Sequence, residues 1–347
     1  MKLFATGWLA LGISALIVLL LPALLFRSIV SGTSTPIVSD LNANGNPDYV
    51  FIGNSMTDTR INPELFAELT GVQNVELLTN FGLTSAGWYL LLKNYVVAQD
   101  TSPKAVIVMF RDEVLTDPLH RTTGVYRGVL NRLKSGSEPD YDAVIDANTI
   151  WDMEIERSLE SFYAIQTYRM HAEEALSRSA AGVLHPSLLI DSVRHLIGAI
   201  QPDAYRARLE DHLQIKRATN EVFDRANFRP NSGPRNISSG IEPFSEVVEE
   251  SFLPLMIELA TEIDTQIIFV RLQRRPDADG VITTEPTLAQ YLRNAQEFIQ
   301  ANGAIYIDMN GANGPPLEYY LDGDHIGPFY RDLYTQLFAD VSAPYIE

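Results

Sequence analysis

Two short stretches, far apart in the chain, carry residue types that could perform nucleophilic chemistry together. The first is Ile52-Gly53-Asn54-Ser55-Met56-Thr57-Asp58-Thr59-Arg60. The second is Tyr320-Leu321-Asp322-Gly323-Asp324-His325-Ile326-Gly327-Pro328. A serine hydroxyl becomes a usable nucleophile at neutral pH when an adjacent base takes its proton. An imidazole is that base when a carboxylate accepts its other N–H and fixes the tautomer. Asp322, three residues before His325, has the spacing to do so on one turn. Each stretch also has an ordinary reading. Gly-Asn-Ser occurs in plain turns, and a lone Asp-x-x-His occurs in helix caps and calcium-like loops.

A third group is basic. Arg271-Leu272-Gln273-Arg274-Arg275-Pro276 follows an apolar run in a chain with 26 Lys+Arg against 44 Asp+Glu, a net charge of −18. A local cluster of arginines in so acidic a protein suits an anionic substrate group such as a uronate or phosphate. The same arginines can instead pair with the nearby Asp277 and Asp279. His120, His171, His185, His195 and His212 are scattered without metal-ligand spacing, and the chain has no Cys. No metal is therefore expected, and with no P-loop or Gly-x-Gly-x-x-Gly element in the sequence no organic cofactor is implied. Tyr319 and Tyr320 beside the Asp-x-x-His turn fit either a sugar site or the core.

Positioning these residues requires a scaffold. Five short apolar runs read as strands: 48–52, 75–79, 105–110, 266–270 and 304–308. Several are apolar almost throughout, the habit of central strands in a parallel sheet covered on both faces. Helical patterns lie between them, at Pro63–Leu69, Ala86–Ala98, Phe244–Ile263, Leu288–Ile299 and Phe329–Val341. This alternation predicts a doubly wound α/β sheet. In such a sheet Ser55 stands at the carboxyl edge, where ligands bind. The alternation breaks over about 113–240, which predicts a mostly helical insertion with pieces at Ile150–Met170 and Leu188–Ile200.

The N-terminus reads differently. Leu3 to Phe26 carries no charge, and a helix of that length crosses a hydrocarbon core of about 30 Å. It is longer than a signal-peptide core and lacks a small-x-small site after it. The expected organisation is a transmembrane anchor over 1–27, a flexible stalk rich in small polar residues over 28–47, and an α/β domain over 48–347. The charge bias across the segment favours a cytoplasmic N-terminus, which puts the domain on the periplasmic or extracellular side of the inner (cytoplasmic) membrane. The expected partner of residues 1–27 is membrane lipid. A charge of −18 excludes a typical nucleic-acid binder, which needs a basic face for phosphates.

Taken together, the Ser55 and Asp322-x-x-His325 blocks make the chain resemble the SGNH (GDSL-like) hydrolase superfamily over roughly 47–112 and 243–345. The resemblance implies a flavodoxin-like α/β/α fold and esterase or acyltransferase activity. Ser55 would be the nucleophile, His325 the general base and Asp322 the orienting acid, with Asp324 ranking second for that last role. It also implies an oxyanion hole from the backbone N–H groups of Ser55 and Ser85. The family's Gly stands where this chain has Ser85, its Asp where this chain has Asn54, and its block-three Asn where this chain has Phe110-Arg111-Asp112-Glu113. Arg111 would then supply the missing donor, or be bound up with Asp112 or Glu113. An anchor and a helical insertion resemble relatives that act on acyl groups of cell-envelope carbohydrates, with a membrane protein as a further partner. The competing expectation is a catalytically inactive SGNH-like domain serving as a structural or accessory subunit of a membrane complex. A third is a carbohydrate-binding module without turnover.

Overall fold

The structure, a computed structural model, describes residues 46–80, 82–99, 102–149, 241–277, 279–321 and 324–346. The expected anchor, nearly all of the stalk and the helical pieces at 150–170 and 188–200 lie outside the described residues. Among the described residues no helix is long and apolar enough to cross a membrane. The chain divides into two units. One comprises 1–36, 123–132 and 149–207, and the other 37–122, 133–148 and 208–347. In the first unit the described part is essentially the helix α4 (Gly124–Leu133).

The second unit contains the sheet. Its strands are β1 (Tyr49–Gly53), β2 (Val75–Thr79), β3 (Ala105–Phe110), β4 (Gln266–Leu272) and β5 (Ile305–Met309). All pair in parallel, in the order β2-β1-β3-β4-β5. This is the flavodoxin-like order of doubly wound sheets. The central strands β1 and β3 are buried at every residue, which explains why they read as unbroken apolar runs rather than alternating ones. Strand β4 runs two residues past the apolar stretch. Arg271 is tolerated there because its register partner on β5 is Asp308, which pairs with it at 3.0 Å.

The helices follow from local signals. Helix α1 (Ser55–Asp58) begins immediately after β1 under the cap of Asn54, whose side chain accepts from the Met56 N–H. Helix α2 (Pro63–Thr70) is capped by the Asn62 side chain, with Pro63 in its first turn. Helix α3 (Ser85–Leu91) continues into a widened π-turn at Leu92–Val96. After α4 come α5 (Pro139–Asn148), α6 (Phe244–Val247), α7 (Phe252–Glu262), α8 (Pro286–Ala301) and α9 (Arg331–Ser342). The single helix expected over 244–263 is thus two. Pro254 has no N–H for the carbonyl of residue 250, and its ring would clash with that carbonyl. The chain restarts at Ser251, whose hydroxyl caps the Leu253 N–H.

Side chains alternate across the sheet. Tyr49, Phe51, Ile107, Met109, Ile268 and Val270 join Phe66 of α2 and Tyr334 and Phe338 of α9 in one core. Phe66 meets Phe51 edge-on at 5.1 Å and stacks on Phe338 at 5.8 Å. The intervening residues Val50, Ile52, Val106, Val108 and Phe269 are equally buried. On that side α3 and α7 contact the sheet and each other, with Tyr89 stacked on Phe252 at 5.1 Å. Each fully buried large apolar side chain contributes about 1.5–3 kcal/mol, so both faces clamp the strands.

Candidate active site

Parallel pairing carries every strand-to-helix loop of this sheet to one edge. At β1 the turn is very tight. A Cβ on Gly53 would lie 1.9 Å from the Thr57 hydroxyl, so only glycine lets α1 fold back over the strand end. Ser55 becomes the first residue of that helix. Its backbone N–H, like that of any first-turn residue, has no partner within the helix. Asn54 ties the turn to the next loop, donating from its side-chain amide to the Leu83 carbonyl at 2.9 Å. A carboxylate could not make that bond, which accounts for Asn where the resembled family has Asp.

The loop after β2 leads to Ser85 at the start of α3. The Ser85 hydroxyl donates to the Asp117 carbonyl at 2.9 Å, and that of Thr84 to the His120 carbonyl at 2.7 Å. Both side chains thus fasten the loop to 117–120, leaving the Ser85 backbone N–H as a first-turn donor at the same edge as Ser55.

The chain returns to this edge before α9. Tyr320 and Ile326 form an isolated antiparallel bridge, and the Leu321 N–H donates to the His325 carbonyl at 2.9 Å. The Ile326 N–H donates to the Thr59 hydroxyl at 3.4 Å. Held in this way, His325 Nε2 lies 2.9 Å from Ser55 Oγ across 270 residues of sequence. That distance is within reach for transfer of the hydroxyl proton. In the tautomer with the proton on Nδ1, Nε2 is the acceptor. The structure therefore joins the two stretches singled out by residue type. Asp322 lies outside the described residues.

The other expected site residues are placed differently. Arg111 pairs with Asp324, through Nη1 to Oδ2, and not with Asp112 or Glu113. The pair uses Nη1 of the guanidinium, and Nε has no hydrogen-bond partner among the described residues. Asp324 also accepts from the Arg275 N–H at 2.8 Å, so both of its oxygens are used away from His325. Arg271, expected at a substrate, has two carboxylate partners within the fold. It is largely buried and bonds Asp112 at 3.0 Å and Asp308 at 3.0 Å. Arg274 pairs with the same Asp112 and with Glu113. At Arg271 and Arg274 the arginine cluster expected to hold an anionic substrate instead pairs with the buried Asp112 and the partly exposed Asp308 and Glu113. Their partners are not Asp277 and Asp279 either. Asp277 instead accepts from the N–H groups of Asp279 and Val281. Tyr320 belongs to the core, its hydroxyl donating to the Gln273 carbonyl at 3.2 Å. Tyr319 stacks on Tyr330 at 4.6 Å.

Three residues near the site were not among the site residues expected from the sequence. Asp112 is fully buried, with φ +51 in the left-handed region, a conformation Asp tolerates better than most residues. Arg60 is fully buried, with its guanidinium 5.4 Å from the Tyr334 ring and 5.9 Å from the Tyr320 ring. It donates to the Met56 carbonyl at 3.1 Å, one residue past Ser55. Asp58, one turn after Ser55, accepts from the Thr79 hydroxyl at 2.5 Å. Its spacing from Ser55 was the available clue. Among the described residues no group of acidic and histidine side chains has the arrangement of a metal site.

Burial pushes the Asp58 carboxyl up to about 6, against the opposing pulls of the Thr79 hydroxyl, Arg331 and His325. The folded chain then holds this proton more tightly than the unfolded one. The contribution favours folding at low pH and is lost as pH rises from about 4 through about 6. Asp58→Asn, neutral throughout and able to accept from Thr79, should therefore gain stability over the wild type as pH rises. Urea unfolding should show a difference growing to at most about 3 kcal/mol by pH 7.5. A difference independent of pH would contradict this account.

A parallel α/β sheet with a serine hydroxyl and an imidazole in contact at its carboxyl edge defines the class: an α/β protein with a serine–histidine site. No family model matches the chain. No curated protein matches it. Among solved structures it is similar to an inferred acylhydrolase from Bacteroides fragilis, at 12% identity over 87% of this chain and 89% of that one, with a TM-score of 0.36. At that overlap the likeness says nothing of activity.

Proposed function

We propose that this chain is a membrane-anchored, extracytoplasmic SGNH-like serine esterase or O-acyltransferase acting on acyl groups of a cell-envelope carbohydrate. The observation that carries the catalytic part is the 2.9 Å contact between Ser55 Oγ and His325 Nε2 at the carboxyl edge of the sheet. In this mechanism Nε2 takes the hydroxyl proton as Oγ attacks the acyl carbonyl. The Ser55 and Ser85 backbone N–H groups hold the oxyanion of the tetrahedral intermediate. His325 returns the proton to the leaving alkoxide, which departs as an alcohol and leaves an acyl-serine. Water then releases the acid, or a sugar hydroxyl takes the acyl group. Asp322 is the proposed orienting acid, a role supported by its spacing from His325 and by the engagement of Asp324 elsewhere. The apolar segment 3–26 and the polar stretch after it support the anchor and stalk.

A fluorophosphonate tests the site directly, because it phosphonylates only an activated serine. The full chain in detergent should label, and Ser55→Ala should not. Absence of label on the wild type would overturn the enzymatic reading. It would favour the accessory subunit, which the absence of a block-three Asn and the engagement of Arg111 by Asp324 support.

A further inference from the structure

We infer that the Arg111–Asp324 pair is a clamp that positions His325, and that Asp324 acts through it and not as the carboxylate of the catalytic series. The inference rests on the serine–histidine reading, and its test separates the two.

Asp324 precedes His325 directly in the chain. Its two carboxylate oxygens are taken by two different strand ends. Oδ2 accepts from the Arg111 guanidinium, at the end of β3, and Oδ1 accepts from the Arg275 backbone N–H, in the loop after β4. The turn that carries the imidazole is thereby bonded to two neighbouring strands of the central sheet. On the opposite side it is bonded to the segment after α1, through Ile326 N–H to Thr59 Oγ1. His325 sits between these attachments.

The anchor on the sheet side is part of a larger ion-pair network. Asp112, next to Arg111, is buried and left-handed. Its carboxylate takes Arg271 from β4 and Arg274 from the following loop. Arg271 in turn reaches Asp308 on β5. A run of alternating charges thus ties the ends of β3, β4 and β5 together, and Arg111 extends it by one pair to the histidine turn. Both partners of that last pair are partly exposed, at 30% and 20%. Water reaches the pair at that exposure, so it adds less to stability than a fully buried pair does. A pair that is weak as a stabiliser but attached beside the base is suited to placing the imidazole. A displacement of about 1 Å in a reacting group costs on the order of 10²-fold in rate.

The test uses the full chain in detergent with a fluorophosphonate, reading the inactivation constants kinact and KI, the melting temperature and amide hydrogen exchange. Arg111→Met and Asp324→Asn should each lower kinact by about 10²-fold. KI should stay within about twofold and the melting temperature within a few degrees. The double variant should be no slower than the slower single one, because both break the same contact. Arg111→Lys should recover part of the rate. Single variants that label at the wild-type rate, or losses that multiply in the double variant, overturn the clamp. A wild type that does not label overturns the esterase reading instead. The clamp is then decided by exchange: faster exchange at the Leu321 and Ile326 amides in Arg111→Met supports it, and unchanged protection refutes it.

Discussion

His325→Ala should slow turnover of a simple acyl ester by on the order of 10⁴-fold or more, with little change in melting temperature. The expectation follows from what is left when the imidazole goes. Ser55 keeps its place at the start of α1, set by the tight turn at Gly53 and the Asn54 cap. The backbone N–H groups proposed to hold the oxyanion are untouched. What disappears is the acceptor 2.9 Å from the hydroxyl. An alcohol without a base is almost entirely protonated at neutral pH, and triad members act as a unit in which loss of one removes most of the benefit. The comparison with Ser55→Ala is informative because both variants should fall to similar residual rates. Turnover in His325→Ala within tenfold of the wild type would remove His325 from the mechanism, whatever its distance from Ser55.

The second large effect concerns stability. Arg271→Met should destabilise the fold by roughly 3–5 kcal/mol, the cost of stripping a partner from a buried ion pair. Asp112 has no exposed surface. Without Arg271 its Oδ1 loses the guanidinium 3.0 Å away, and a carboxylate is left in the interior with only the Arg274 contact. Asp308 at the same register position loses its partner as well, but it is partly exposed and water can replace the bond. Denaturant unfolding measures the loss. Adding Asp112→Asn to Arg271→Met should recover part of it, since the stranded charge is then gone. A loss below about 1 kcal/mol for Arg271→Met would mean that water screens the network.

These predictions differ in how far the sequence alone leads to them. The His325 prediction is legible from residue types: Gly-Asn-Ser after an apolar run, and a histidine with a carboxylate three residues earlier. The structure adds only the meeting of the two. The Arg271 prediction runs against the sequence reading. Arg271, Arg274 and Arg275 stand together in an acidic chain, and nothing local distinguishes a substrate cradle from internal neutralisation. The distinction depends on Asp112 and Asp308, which lie 159 and 37 residues away in the chain. Arg111 is similar: a donor to substrate and a partner for Asp324 are alike in sequence. The break at Ser251 is the opposite case, a local effect of Pro254 outweighed in the reading by the strong apolar period on either side.

By itself the sequence determined the strands, most of the helices and the two stretches that could cooperate, because each depends on neighbours within a few residues: apolar periodicity, caps, and side chains that suit a nucleophile or a base. Tertiary structure alone decided which charge answers which. Coulomb attraction and desolvation are set by distance and burial in three dimensions, and the carboxylates that claim Arg111, Arg271 and Arg274 include ones brought close only by folding the sheet.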